Sequence, residues 1–200
     1  MPKLILASAS PRRQAILRCL NIPFEVHLST SPECVRPGDP VATVGQNACI
    51  KALSVAKRHP HAIVLAADTV VAFNGNVRGK PKDYEEAQAW LLEYAGRSQQ
   101  VFTAVAFLKP GRRDPELFIE ATSLVFRQYG LGEVQDYLDN VRPFDRAGAY
   151  DINAQGHRLI AERIGSYTNV MGLPQAVVLA WVKAHCPGLM ENREESGRSR

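Results

Sequence analysis

Residues 66–81, AADTVVAFNGNVRGKP, gather groups that could do chemistry. An apolar run over residues 62–67 delivers one carboxylate, Asp68, with Thr69 beside it. A second apolar stretch, residues 70–73, leads into Asn74-Gly75 and a short return to Gly79-Lys80-Pro81. Asn-Gly between two strand-like runs is the strongest local hairpin signal, because both central turn residues need positive φ. Such a hairpin lets Asp68 and Lys80 meet at one end of it. An acid and an amine placed there suit a metal–phosphate reaction.

A second set lies near the start. Residues 3–7 read as a buried strand and Ser8-Ala9-Ser10-Pro11-Arg12-Arg13 follows at once. Ser10 is a good N-cap and Pro11 a good first helical residue, so a helix is expected from 11 to about 20. Its N-terminus offers free N–H groups and a positive dipole end, joined by two hydroxyls and two arginines. That constellation suits phosphate. As mere solvated first-turn residues, Arg12 and Arg13 would oppose the helix dipole, which weakens the bland reading.

The elements that must position these groups follow from pattern. Residues 24–28 read as a short strand, and a proline-punctuated polar loop carries Glu33, by itself an ordinary surface acid. Asp39-Pro40 repeats the cap-plus-proline start of a helix. Along that helix Val44, Ala48 and Val55 form an apolar stripe, and Lys51 falls on it. Snorkelling to solvent and pointing into a cleft toward phosphate are equally good readings of that lysine. Asp83 and Glu86 resemble a capping box for a helix to Tyr94, stopped at Gly96. Residues 101–108 read as a strand buried on both faces, 117–126 as its returning partner, and 131–138 as a short helix. The glycine-bearing segments at 143–153 and 164–174 have the composition of ligand-contacting loops or of structural turns. A last helix is expected over 174–185.

Bulk properties narrow the class. The chain has 200 residues, 46% hydrophobic and 22% charged, as in an ordinary globular protein. One domain is expected over residues 1–187, with 188–200 as a disordered tail. No apolar run approaches a membrane span and nothing resembles a cleaved signal, so the cytoplasm is the expected location. Four scattered cysteines (Cys19, Cys34, Cys49, Cys186) read as reduced thiols and argue against a zinc site. The net charge of +4 is modest and lacks the dense basic stripe of a nucleic-acid binder; small anions suit it better. Residues 75–81 imitate a phosphate-binding P-loop, but one residue is missing between the glycines and Pro81 stands where a magnesium-binding hydroxyl belongs. No G-x-S-x-G elbow exists, and the five histidines have no metal-ligand spacing. Hydrolysis through a metal and one or two carboxylates remains the best chemistry.

SASPRR, AADTVV, GKP, FDRAGAY and GSYTNVMGLP, in this order and spread from Ser8 to Pro174, resemble the Maf family of nucleotide pyrophosphatases. The resemblance implies a mixed α/β fold, an elongated sheet flanked by helices with two lobes around a central cleft, similar to the inosine-triphosphate pyrophosphatases. It implies hydrolysis of nucleoside triphosphates between the α and β phosphates with a divalent metal (magnesium, manganese or cobalt). Asp68 would be the catalytic and metal-associated acid, with Glu33 near the metal. Ser8, Ser10, Arg12, Arg13, Lys51 and Lys80 would hold the phosphate chain. ADTVV and DRAGAY look like the branch acting on dTTP and UTP, where Arg12, Thr69 and Asn153 fall on specificity positions. The family pattern AGAYGIQ stands here as AGAYDIN, so Asp151 replaces a glycine and Asn153 a glutamine. The partner expected is a nucleoside triphosphate, with no nucleic-acid polymer and no membrane; a homodimer is left open. The alternatives are a pyrophosphatase of 7-methyl-GTP or another modified nucleotide, or a non-catalytic nucleotide-binding regulator of cell division.

Overall fold

The computed structural model of the chain, which describes residues 2–191, is built on one seven-stranded sheet. Its strands are β1 (Leu4–Leu6), β2 (Glu25–Val26), β3 (Ile63–Phe73), β4 (Asn76–Arg78), β5 (Ser98–Leu108), β6 (Glu116–Phe126) and β7 (Ile160–Ile164). They lie in the order β2-β1-β3-β5-β6-β7, with β4 also paired to β3. β1 runs parallel to β2 and β3; every other pairing is antiparallel. The helices are α1 (Pro11–Cys19), α2 (Pro40–Ala56), α3 (Tyr84–Tyr94), α4 (Leu131–Val141), α5 (Tyr167–Val170), α6 (Gln175–His185) and α7 (Gly188–Glu191). The expected mixed α/β sheet flanked by helices is the one observed.

Strand alternation on β3 sorts its side chains between two faces. Val64, Ala66 and Val70 point to α2, where Val44, Ala48, Ala52 and Val55 meet them at helical spacing. On the other face Leu65 and Ala67 pack with Ile16 and Leu17 of α1 and with Val178, Trp181 and Val182 of α6. Further along that same face Val71 and Phe73 join Leu91, Tyr94, Val134, Tyr137 and Leu138 of α3 and α4. Thr69 is the polar residue between these two apolar clusters. The clusters give the long strands two separately covered ends.

The Asn74-Gly75 hairpin forms as expected, with positive φ at both residues (48° and 74°) and Phe73 paired to Asn76. Three local differences have physical reasons. The strand expected over 24–28 shortens to Glu25–Val26, both exposed at the sheet's edge. β7 was not expected, because Glu162 and Arg163 break its apolar pattern; four of its five residues are exposed. Within the tail expected from residue 188, Gly188–Glu191 is helical, and Leu189 is buried in the cluster of α1 and α6. Residues 192–200 of that tail lie outside the described residues.

Candidate active site

The middle of β3 has a strand neighbour on one side only. β1 stops at Leu6 opposite Leu65, and β4 ends at Arg78 opposite Val71, while β5 continues along the other flank. The parallel neighbour ends where the chain turns into α1, and the antiparallel one arrives from the hairpin. Residues 66–70 are left as an open edge, with the start of α1 and the end of β4 on its two sides. Asp68 and Thr69 occupy this gap and point to opposite faces.

Asp68 is 6% exposed, which makes its partners decisive. Lys51 Nζ donates to Oδ1 at 2.6 Å and Asn47 Nδ2 donates to Oδ2 at 3.0 Å. Both donors stand on α2, four residues apart and so on one side of the helix. Asn47 is locked in turn by the Glu33 loop: its Nδ2 donates to Cys34 O and its Oδ1 accepts from Cys34 N, both at 2.9 Å. The same Lys51 ammonium lies 2.6 Å from Glu33 Oε1, so one cation bridges two carboxylates. Of the two readings open for Lys51, the cleft is the one observed. Partial burial pushes the Glu33 carboxyl up, but the hydrogen bond from Lys51 and the charges of Lys51, Lys80 and Arg13 hold it below the usual carboxylate range. Lys80 is exposed just beyond β4, and its charge reaches Glu33 rather than making a hydrogen bond to Asp68.

On the opposite face Arg13 fills the seam between the two apolar clusters. Its Nε donates to Gly172 O (2.8 Å), its Nη1 to Ser8 Oγ (3.0 Å) and Ala67 O (2.9 Å), and its Nη2 to Thr69 Oγ1 (3.1 Å). A Cβ on Gly172 would sit 3.1 Å from Thr69 Oγ1 and 3.3 Å from Arg13 Nε, and its φ is +97°, so glycine is what lets the three meet. Burial lowers the Arg13 pKa, and the Asp68 charge works against that shift. Thr69 continues the seam to Thr103 Oγ1 at 3.0 Å, which donates to Asn169 O at 2.9 Å. Ser10 caps α1 as expected, accepting weakly from Arg13 N, and Ser8 Oγ accepts from Ser10 N at 3.2 Å.

Arg12 points elsewhere. It faces the loop of residues 143–153, with Nη1 3.8 Å from Asp151 Oδ2, and its buried Nε has no hydrogen-bond partner. Burial lowers its pKa, the neighbouring Arg146 adds to the shift, and Asp151 opposes it. Neighbouring arginines on α1 thus divide their work: Arg13 spends four donors inside the protein, and Arg12 meets Asp151 as an ion pair with its buried Nε unpartnered. The loop is tied to the β4 end by Gly148 N donating to Gly79 O at 2.9 Å. Asn153 is exposed, and the Tyr167 hydroxyl donates to its Oδ1.

This is an acid at an open strand edge, paired with Lys51 on one face of the strand, with Arg13 braced on the other face and the start of α1 beside it. Residues 3–185 match the protein family described as Maf-like protein. The chain belongs to the Maf family. A dTTP/UTP pyrophosphatase of Halalkalibacterium halodurans is 42% identical over 186 residues, covering 92% of this chain and 97% of its own. One of Myxococcus xanthus is 44% identical over 178 residues, covering 88% and 89%. Among solved structures, the Staphylococcus aureus Ham1 protein superposes with a TM-score of 0.55 at 12% identity, over 91% of this chain and 98% of that one, which is a likeness of fold.

Within this Maf fold, several site residues escaped the sequence reading. Asn47 could have been found, because it sits four residues before Lys51 on the stripe that faces β3. Thr103 and Asn169 could not, since their part depends on cross-strand register and on an α5 contact between residues 66 apart. Arg78, the last residue of β4, is 7% exposed and lies 5.0–5.2 Å from the rings of Phe73, Trp90 and Tyr94. Among the described residues no group of three or more His, Cys, Asp or Glu could hold a metal, and no helix is long and apolar enough to cross a membrane.

Proposed function

We propose that this chain hydrolyses nucleoside triphosphates between the α and β phosphates, dTTP and UTP foremost, yielding the monophosphate and pyrophosphate. The observation that carries the reading is the Asp68 carboxylate held between Lys51 and Asn47 at the open edge of β3. The names of the relatives support the reaction and the pyrimidine preference.

The triphosphate would lie along the gap, its charge met by Lys51, Lys80 and the N–H groups of α1. Each Asp68 oxygen accepts one protein hydrogen bond and keeps a lone pair free, so the carboxylate can take the proton of a water attacking the α phosphorus. Lys51 and Asn47 hold that carboxylate in place. The β–γ pyrophosphate then leaves with the bridging oxygen and its electron pair, its charge balanced by the lysines. Arg13 contributes charge to the gap and orients Thr69 and Ser8.

A divalent cation fits this donor set. Asp68 and Glu33 already converge on one cationic nitrogen, and hard carboxylate oxygens suit magnesium or manganese. With only two carboxylates, such an ion would complete its shell from phosphate oxygens and water. Bound there, it would supply neutralisation of the phosphate charge. Arg12, Thr69 and Asn153 are assigned to the sugar and base end.

The test is pyrophosphate release from dTTP, UTP, CTP, ITP and 7-methyl-GTP with magnesium, manganese or cobalt. The reading expects dTTP and UTP to lead. A preference for another base would move the specificity assignment and keep the reaction; no turnover with any of them would overturn the reaction itself.

A further inference from the structure

Asp151 joins two of the three residues assigned to the sugar and base end, Arg12 of α1 and Asn153 of the 143–153 loop. Its Oδ2 accepts from Arg146 Nε at 2.8 Å and lies 3.8 Å from Arg12 Nη1, while its Oδ1 accepts the backbone N–H of Asn153 at 2.9 Å. The side chain is 10% exposed. Arg12 and Arg146 lie close enough for each charge to oppose the other, and Asp151 is the carboxylate they share. Its backbone is fixed separately: Asp151 N donates to the buried Tyr137 hydroxyl at 2.9 Å, and that hydroxyl donates to Asp151 O at 3.3 Å. The loop therefore keeps its path through Tyr137, and the Asp151 carboxylate is left to set what the path presents.

We propose that Asp151 is a positioning residue for base selection: it draws Arg12 across the cleft and holds Asn153 in the turn that presents its amide. The proposal rests on the pyrophosphatase reading, because Arg12 and Asn153 serve the base end only there. A glycine at 151 would do neither task. Asn153 is one methylene shorter than glutamine and needs a fixed backbone to reach the same partner. The Asp151 and Asn153 pair thus works as a unit, a short amide on a turn braced by the neighbouring carboxylate.

The experiment compares the wild type with Asp151→Gly and with the double variant Asp151→Gly, Asn153→Gln. For each, KM and kcat are measured with dTTP and CTP, calorimetry gives affinity for the non-hydrolysed α,β-imido-dUTP, and melting gives stability. Asp151→Gly is expected to raise KM for dTTP and weaken α,β-imido-dUTP binding about tenfold, as loss of one or two hydrogen bonds would. Its kcat should change far less, its dTTP-over-CTP preference should shrink, and adding Asn153→Gln should restore the part of the loss that belongs to residue 153. Unchanged KM and affinity in Asp151→Gly would overturn the proposal. So would kcat, affinity and melting temperature falling together, which marks a merely structural role, or a double variant as weak as the single one. A wild type that binds α,β-imido-dUTP in this Asp151-dependent way but releases no pyrophosphate would overturn the hydrolase reading and leave the positioning role standing.

Discussion

At the open middle of β3 the Arg13 guanidinium donates to Ser8, Ala67, Thr69 and Gly172; at the hairpin end the Arg78 guanidinium lies among Phe73, Trp90 and Tyr94 and pairs with Glu93 at 2.6 Å. Both arginines are packed against the same strand, and the difference lies in strand pairing. Where β4 closes the edge, the backbone is satisfied by its neighbour, and the arginine serves packing through cation–π contacts. Where pairing lapses, Ala67 O and the Thr69 hydroxyl need partners, and a guanidinium fork can satisfy several at fixed angles. Burial opposes the charge of Arg78, but nearby Tyr94 and Glu93 outweigh it and hold its pKa above the usual value. The pKa of Arg13 moves the other way, lowered by burial. A gap in a sheet thus creates both the space for a ligand and the demand for polar groups around it.

Substitutions at the open middle should remove activity, and those at the closed end should remove stability. Asp68→Asn carries the largest expected effect, a loss of roughly a hundred- to ten-thousandfold in kcat, as for removal of a general base. Lys51→Met comes next. It leaves Asp68 and Glu33 facing each other without their shared cation, and about a hundredfold loss in kcat/KM is expected from the missing charge. A Lys51→Met enzyme with wild-type kcat/KM would show that the ammonium is a bystander. Arg13→Lys keeps the charge and loses the fork, so about 3 kcal/mol of stability and roughly tenfold in kcat/KM should go together. Urea titration and steady-state kinetics on one preparation check this; a variant impaired in only one of the two would separate bracing from orientation. Arg78→Leu has the smallest effect on turnover. It should lower stability by about 2 kcal/mol through lost ring contacts while kcat/KM holds. A large activity loss without a stability loss would erase the distinction between the two ends.

The sequence made the elements around this gap readable because each is local. The Ser10 and Asp39 caps, the Asn74-Gly75 turn and the apolar stripe of α2 depend on neighbours a few residues apart. Asp68, Lys51 and Glu33 were singled out from the residues or from the family resemblance, and the fold brings all three together. What the sequence could not show is how donors are spent. SASPRR presents Arg12 and Arg13 as an equivalent pair, and only the return of the chain at Gly172 and at Asp151 separates them. Arg78 is one more cation in the return of the hairpin until Phe73 of β3 and Trp90 and Tyr94 of α3 close around it. The short polar strand β7 was hidden for a related reason: its pairing with β6 comes from register and leaves no apolar alternation.

The most direct measurement is pyrophosphate released from dTTP by the wild type and by Asp68→Asn, side by side with ample divalent metal, with the melting temperature of each. The account predicts turnover by the wild type, near silence from Asp68→Asn, and closely similar melting temperatures. Equal turnover by the two would contradict it, as would a variant whose activity and stability fall in step.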